Sequence, residues 1–237
     1  MTVSASWSPE IIRGADPTAV AAIAAREIAR SIQDAIAARG IASLMLAGGT
    51  TPRLVHAALA EDATIPWERV RLFVGDERAV PASSPDSNAR MIQETLLEKA
   101  RVPLSSVFLP DGAAADLEAE AERYAALLPL EIDLLLLGMG EDGHTASLFP
   151  GASSLAEVTR RVMVIQGPKP PPTRLTITPL VLQFARRTFV FATGIGKAAA
   201  LRRALDSFEP SALPVQLTTR VTLFVDAPAL PSTKESP

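Results

Sequence analysis

A chain of 237 residues that is 48% hydrophobic and 21% charged can fill one sizeable core, which excludes wholesale disorder. Its net charge of −3 comes without a basic block, which speaks against a nucleic-acid partner, and no apolar run approaches the ~20 residues of a membrane helix. The absence of cysteine removes disulfide and thiol chemistry and fits a reducing compartment. The amino terminus, MTVSASWSPEII, has no basic segment leading into an apolar core, so it does not read as a secretory signal.

Asp16-Pro17 opens a helix expected over 18–38, with Ile23, Ile28, Ile32 and Ile36 at near-helical spacing and Gly40 as its stop. A strand is expected over 41–47, followed by Gly48-Gly49-Thr50-Thr51-Pro52. Thr51 reads as the N-cap of the next helix and Pro52 as its first residue. Two glycines let a ligand approach the backbone, and free amides at a helix start attract anions, although the spacing is not that of the nucleotide P-loop. His56, inside that helix, reads as a core or surface residue and not as a ligand. Residues 70–74 form a third strand, ending at Gly75-Asp76-Glu77-Arg78, which is either a solvated turn or a clamp for phosphate or carboxylate. A loop through Asp86-Ser87-Asn88 leads into a helix to about residue 100. A short strand over 106–109 and an acidic amphipathic helix over 113–128 follow.

Residues 132–151 read IDLLLLGMGEDGHTASLFPG, an apolar strand over 132–137 and then three glycines, two acids and His144, one of two histidines in the chain. GMGEDG matches the dinucleotide fingerprint G-x-G-x-x-G, which also needs a following helix and an acid at the end of the next strand. The next strand, 161–166, instead ends at Gly167-Pro168 with no acid. A metal site through Glu141, Asp142 and His144 would have to draw any second imidazole from His56, so no metal is expected. Ser147 lacks the G-x-S-x-G elbow of a serine nucleophile. What remains is a glycine turn whose histidine either caps the turn or acts as an acid–base group.

Pro168-Lys169-Pro170-Pro171-Pro172 is a stiff segment too short to join domains. A strand over 174–178 passes through Pro179 into a helix, and a strand over 187–193 ends at Gly194-Ile195-Gly196-Lys197, which opens a helix over 198–205. Lys197, one of four lysines, sits where the helix dipole disfavours a cation, a penalty that a bound anion would reverse. The last strand is 220–225, and 228–237 reads as a loose tail. The alternation of strands and helices, without repeats, implies a single α/β domain over 1–237. Its mostly parallel, Rossmann-like sheet should have about six or seven strands and helices on both faces. In such a sheet the polar strand ends 48–52, 75–78, 138–144 and 194–197 share one rim, where ligands bind.

The segments LAGGTTP (46–52), VGDERAVP (74–81), DSNARM (86–91), LGMGEDGHTASLFPG (137–151), PKPPPTRLTIT (168–178) and GIGK (194–197) together resemble the 6-phosphogluconolactonases of the pentose phosphate pathway. Glucosamine-6-phosphate deaminases share the Asp142-Gly143-His144 turn but typically carry Asp-Glu-Tyr at 76–78 and lack the run at 145–150. The resemblance implies a cytoplasmic enzyme, monomeric or a small homo-oligomer, that acts on a small sugar-phosphate lactone without cofactor, nucleic acid or membrane. It implies His144 as general base, oriented by Asp142 or Asp76, with backbone amides of 138–143 at the oxyanion. The phosphate would rest on Gly48, Gly49, Thr50 and Thr51 with Arg78 and Lys197, and with Arg174 and Arg53 as weaker partners. A sugar-phosphate sensor on the same fold would need a DNA-binding helix-turn-helix, for which the chain shows no room.

Overall fold

The four leucines at 134–137 show why this sheet has no solvated face. In the computed structural model, which describes residues 6–230, they belong to strand β5 (Leu134–Gly138), whose successive side chains point to opposite faces. Leu134 and Leu136 enter one buried apolar cluster and Leu135 and Leu137 the other. Strand β2 (Ala42–Leu46) divides in the same way, with Leu44 and Leu46 on the first side and Met45 on the second. An unbroken apolar run encodes a strand covered on both faces.

With β1 (Glu10–Gly14), β3 (Val70–Val74), β8 (Arg187–Ala192) and β9 (Val221–Asp226), these strands make a six-stranded sheet in the order β1-β9-β8-β5-β2-β3. Every pairing in it is parallel. Helices α1 (Pro17–Arg39), α2 (Thr50–Ala60) and α3 (Asn88–Ile92) cover one face through Ile28, Ile32, Val55, Leu59 and Ile92. A π-helical turn, Gln93–Leu97, carries α3 into the short α4 (Glu98–Ala100). Helices α5 (Leu117–Leu127), α6 (Pro179–Gln183) and α7 (Ala198–Asp206) cover the other face through Tyr124, Leu182 and Leu201. Helix α1 starts and stops where the sequence indicates. Asp16 Oδ1 accepts the Ala19 amide at 2.8 Å, and Gly40, at φ 80°, donates to the Ile36 carbonyl at 2.7 Å.

The structure corrects four expectations. The strands expected at 161–166 and 174–178 lie outside the parallel sheet; as β6 (Val162–Gln166) and β7 (Thr173–Ile177) they pair with each other antiparallel. Residues 167–172 are too few for a parallel crossover, which takes about a dozen. Strand β4 (Asp76–Arg78), read from sequence as a turn, completes this second sheet in the order β4-β7-β6. The strand expected at 106–109 reduces to a lone Leu72–Val107 bridge, because Pro103 and Pro110 bracket it and proline cannot donate to a ladder. Within the stretch expected to be a loose tail, Ala229 and Leu230 are instead buried and the Leu230 carbonyl accepts Arg13 Nη1 at 2.8 Å, while 231–237 lie outside the described residues. The strand Glu10–Gly14, at the sheet edge, was not expected, because its apolar run is only Ile11-Ile12 between two charged residues.

From β2 the chain steps outward to β3, and from β5 it steps the other way to β8 and β9. The order therefore reverses between β2 and β5, which is where open α/β sheets form their ligand crevice.

Candidate active site

The carboxyl ends of β2, β5 and β8, together with β4 and β7, enclose a cleft of about 610 Å³. Gly48, Gly49, Thr50, Thr51, Asp76, Arg78, His144, Arg174 and Lys197 all line it, and Asp142 stands directly behind His144. Arg53 does not line it.

At the end of β2 the N-cap is Gly49 and not Thr51, so Pro52 is the third helical residue. Gly49 has φ 107°, a conformation that threonine rarely adopts. Thr51 Oγ1 instead lies 2.6 Å from Thr193 Oγ1, tying this loop to the end of β8. No side chain caps α2, so the Thr50 and Thr51 amides stand without intrahelical partners at the positive end of the dipole.

The pairing of β4 with β7 sets Arg78 directly opposite Arg174. Like charges facing each other across a ladder are destabilising, and a bound anion would relieve that. Arg174 is buried, its pKa depressed by that burial and then by the Arg78 charge. Its Nε and Nη2 donate to the Pro171 and Lys169 carbonyls at 3.0 and 3.1 Å, and its guanidinium lies 5.6 Å above the Phe149 ring. Arg78 Nη1 donates to the Asp86 carbonyl, whereas its buried Nε has no partner among the described residues.

His144 Nδ1 is hydrogen-bonded to Asp142 Oδ1, which also accepts the His144 amide at 3.3 Å. Phe149 supports the imidazole at a ring separation of 4.8 Å. Burial lowers the His144 pKa and outweighs the opposing pull of Asp142. Burial also works to raise the Asp142 pKa, but the His144 hydrogen bond and the His144 and Lys169 charges hold it below the usual carboxylate range. At neutral pH this places a carboxylate against Nδ1–H and leaves the lone pair on Nε2. Asp76 instead accepts the Ser147 hydroxyl at 2.6 Å, so Asp142 is the carboxylate that holds the imidazole. Ser147 itself is fully buried.

Within the glycine turn expected to face the oxyanion, three amides are engaged by the chain itself. The Met139, Gly140 and Gly143 amides donate to the Phe191, His144 and Gly140 carbonyls at 3.1, 2.8 and 3.0 Å, so they are already spent. Among the described residues no cluster of three or more His, Cys, Asp or Glu side chains could hold a metal, and no helix is long and apolar enough to cross a membrane.

The family described as glucosamine-6-phosphate isomerases/6-phosphogluconolactonase matches residues 15–224. The chain belongs to this family. It is 39% identical over 199 residues to a 6-phosphogluconolactonase of Synechocystis sp., covering 80% of each chain. It is 35% identical over 208 residues to that of Pseudomonas aeruginosa, covering 85% of this chain and 87% of the relative. The solved 6-phosphogluconolactonase of Trypanosoma brucei superposes with a TM-score of 0.81 at 30% identity, covering 94% of this chain and 98% of that one.

In this member of the isomerase/lactonase family, three side chains that the sequence did not single out hold the cleft in shape. Glu77 is buried and accepts the Arg78, Asn88 and Ala89 amides at 2.7, 2.8 and 2.7 Å, clamping β4 to the start of α3. Asn88 donates to the Asp76 carbonyl at 2.7 Å and packs so closely on Gly48 that a Cβ there would lie 2.1 Å from its Oδ1. Asp226, at the end of β9, accepts the Gly194 amide with both oxygens, at 2.9 and 3.0 Å, and fixes the loop that carries Lys197. Their only sequence signals are the acids and the asparagine beside strand ends.

Proposed function

We propose that the chain hydrolyses 6-phospho-D-glucono-1,5-lactone to 6-phospho-D-gluconate, the lactone step of the oxidative pentose phosphate pathway, with His144 as general base. It is an enzyme of the 6-phosphogluconolactonase type, as its relatives are named. The observation that carries the proposed role of His144 is the Asp142–His144 pair, which presents a neutral Nε2 at a cleft that Arg78 and Lys197 also line.

In this reading the phosphate sits on the Thr50 and Thr51 amides, with Gly48 and Gly49 giving it room and Arg78 and Lys197 balancing its charge. Arg174, engaged by internal acceptors, adds positive potential from behind. Water gives a proton to Nε2 as its oxygen bonds to the lactone carbonyl carbon, whose π pair moves onto the carbonyl oxygen. Asp142 stabilises the imidazolium that forms. Collapse of the adduct breaks the bond to the ring oxygen, which recovers the proton from Nε2, and the resulting acid ionises. Hydrolysis needs neither hydride carrier nor electron sink.

The test is hydrolysis of fresh lactone above its spontaneous rate, with glucosamine 6-phosphate as the alternative substrate. Turnover of the lactone is expected; ammonia release from the amino sugar, with no lactone turnover, would move the chain to the deaminase side of its family. The pH profile carries the second half of the test. A protonated imidazole cannot accept a proton, so kcat/KM should fall with acid along a one-proton limb whose midpoint lies below that of an ordinary histidine, because burial lowers His144. An acid limb centred above the ordinary histidine value would remove His144 from the role.

Gly140 gives a further check. A Cβ there would fall 2.0 Å from His144 Nδ1 and 2.5 Å from Asp142 Oδ1, while its backbone, outside the positive-φ region, accepts alanine. Gly140→Ala should fold normally yet lose on the order of 10²-fold in kcat, because the imidazole must shift. Thermal melting beside steady-state kinetics separates the two effects.

A further inference from the structure

We propose that Lys169 is a positioning residue for this reaction, holding the outer oxygen of Asp142 while the inner oxygen holds His144. The role rests on the lactonase reading above. Lys169 Nζ lies 3.6 Å from Asp142 Oδ2, and Asp142 Oδ1 is the atom engaged by His144 Nδ1. The carboxylate is thus gripped at both oxygens, and a rotation that would release the imidazole must also break the contact with the ammonium.

An isolated exposed ion pair contributes little, because ordering a long side chain cancels the gain. Lys169 starts from a backbone already ordered. It sits among Pro168, Pro170, Pro171 and Pro172, each with its φ fixed. The Gly167 amide closes this strap on the Pro172 carbonyl at 2.7 Å, and Arg174 stitches it down through the Lys169 and Pro171 carbonyls. The same Arg174 lies over Phe149, on which the imidazole leans. One buried guanidinium therefore braces both the strap and the ring beside His144.

The groups facing His144 are Asp142 on its own turn, Lys169 on the strap and Asp76 on β4, with Arg174 behind Phe149. Asp142 and Asp76 favour the imidazolium, whereas Lys169 opposes it. Loss of the ammonium should make His144 easier to protonate, which a purely structural role for Lys169 would not do.

The experiment compares the full chain with Lys169→Met and Lys169→Arg, titrating the His144 side chain by NMR and measuring kcat/KM against pH. The chain has two histidines, and His144→Gln assigns the signal. Lys169→Met should raise the His144 midpoint and move the acid limb of kcat/KM upward in step, with KM nearly unchanged. The shift should shrink in high salt, and Lys169→Arg should restore the parent values. An unmoved His144 midpoint in Lys169→Met, with the parent enzyme active, overturns the proposal alone. An effect confined to KM also overturns it and puts the ammonium on the substrate. A parent chain without lactone turnover overturns the lactonase reading instead, whatever the titration shows.

Discussion

His144→Asn is expected to lose about 10²–10⁴ in kcat for lactone hydrolysis while KM stays within a few-fold. Asparagine places an amide N–H near the position of Nδ1, so the hydrogen bond to Asp142 and the shape of the glycine turn survive. It offers nothing at the position of Nε2, and only the proton acceptor is lost. Stopped assays corrected for spontaneous hydrolysis measure kcat, and calorimetric binding of the product 6-phosphogluconate verifies that the cleft is intact. Parent-like kcat in this variant would refute the general-base assignment. Loss of product binding would instead show that the substitution had collapsed the site.

The second large effect concerns stability. His56 lies wholly buried in α2, and neither ring nitrogen has a hydrogen-bond partner among the described residues. Burial, helped by the nearby Arg53 charge, pushes its pKa down to about 3. The unfolded chain binds this proton near the ordinary histidine value and the folded chain only near the depressed one. His56 therefore leaves stability intact above the unfolded value and erodes it as pH falls towards 3. The slope is about 1.4 kcal/mol per pH unit, or roughly 2 kcal/mol between pH 6.5 and 5. Urea titrations across that range should show the loss in the parent and a shallower slope in His56→Leu. His144, also depressed, contributes in the same direction to both proteins and cancels in the comparison. At neutral pH, His56→Leu should be at least as stable as the parent, because it removes two unsatisfied buried nitrogens. Identical slopes would show that the buried imidazole is not what titrates.

The parts of this architecture that were legible in the sequence are those encoded locally. Continuous apolar runs marked β2, β3, β5, β8 and β9, and the glycines closing four of those runs marked the rim that became the cleft. Features that depend on who pairs with whom were not legible. The charged triplet Asp76-Glu77-Arg78 has no strand pattern of its own and is a strand only because β7 lies beside it. That pairing alone puts Arg78 opposite Arg174. Thr51 has the chemistry of a cap, and was displaced because Gly49 can take a φ that threonine rarely adopts. Asp226 serves Gly194 from the far end of the chain, and local spacing cannot announce such a contact.

The sheet order also bears on how the chain is made. Among the described residues strand β1 reaches the sheet only through β9, with Glu10 opposite Thr222. During synthesis, β2, β3, β5 and β8 can assemble as they emerge, while β1 waits for Val221–Asp226 to be translated. A messenger cut short before the codon for Val221 would therefore deprive the sheet of both β9 and β1, although β1 had been made.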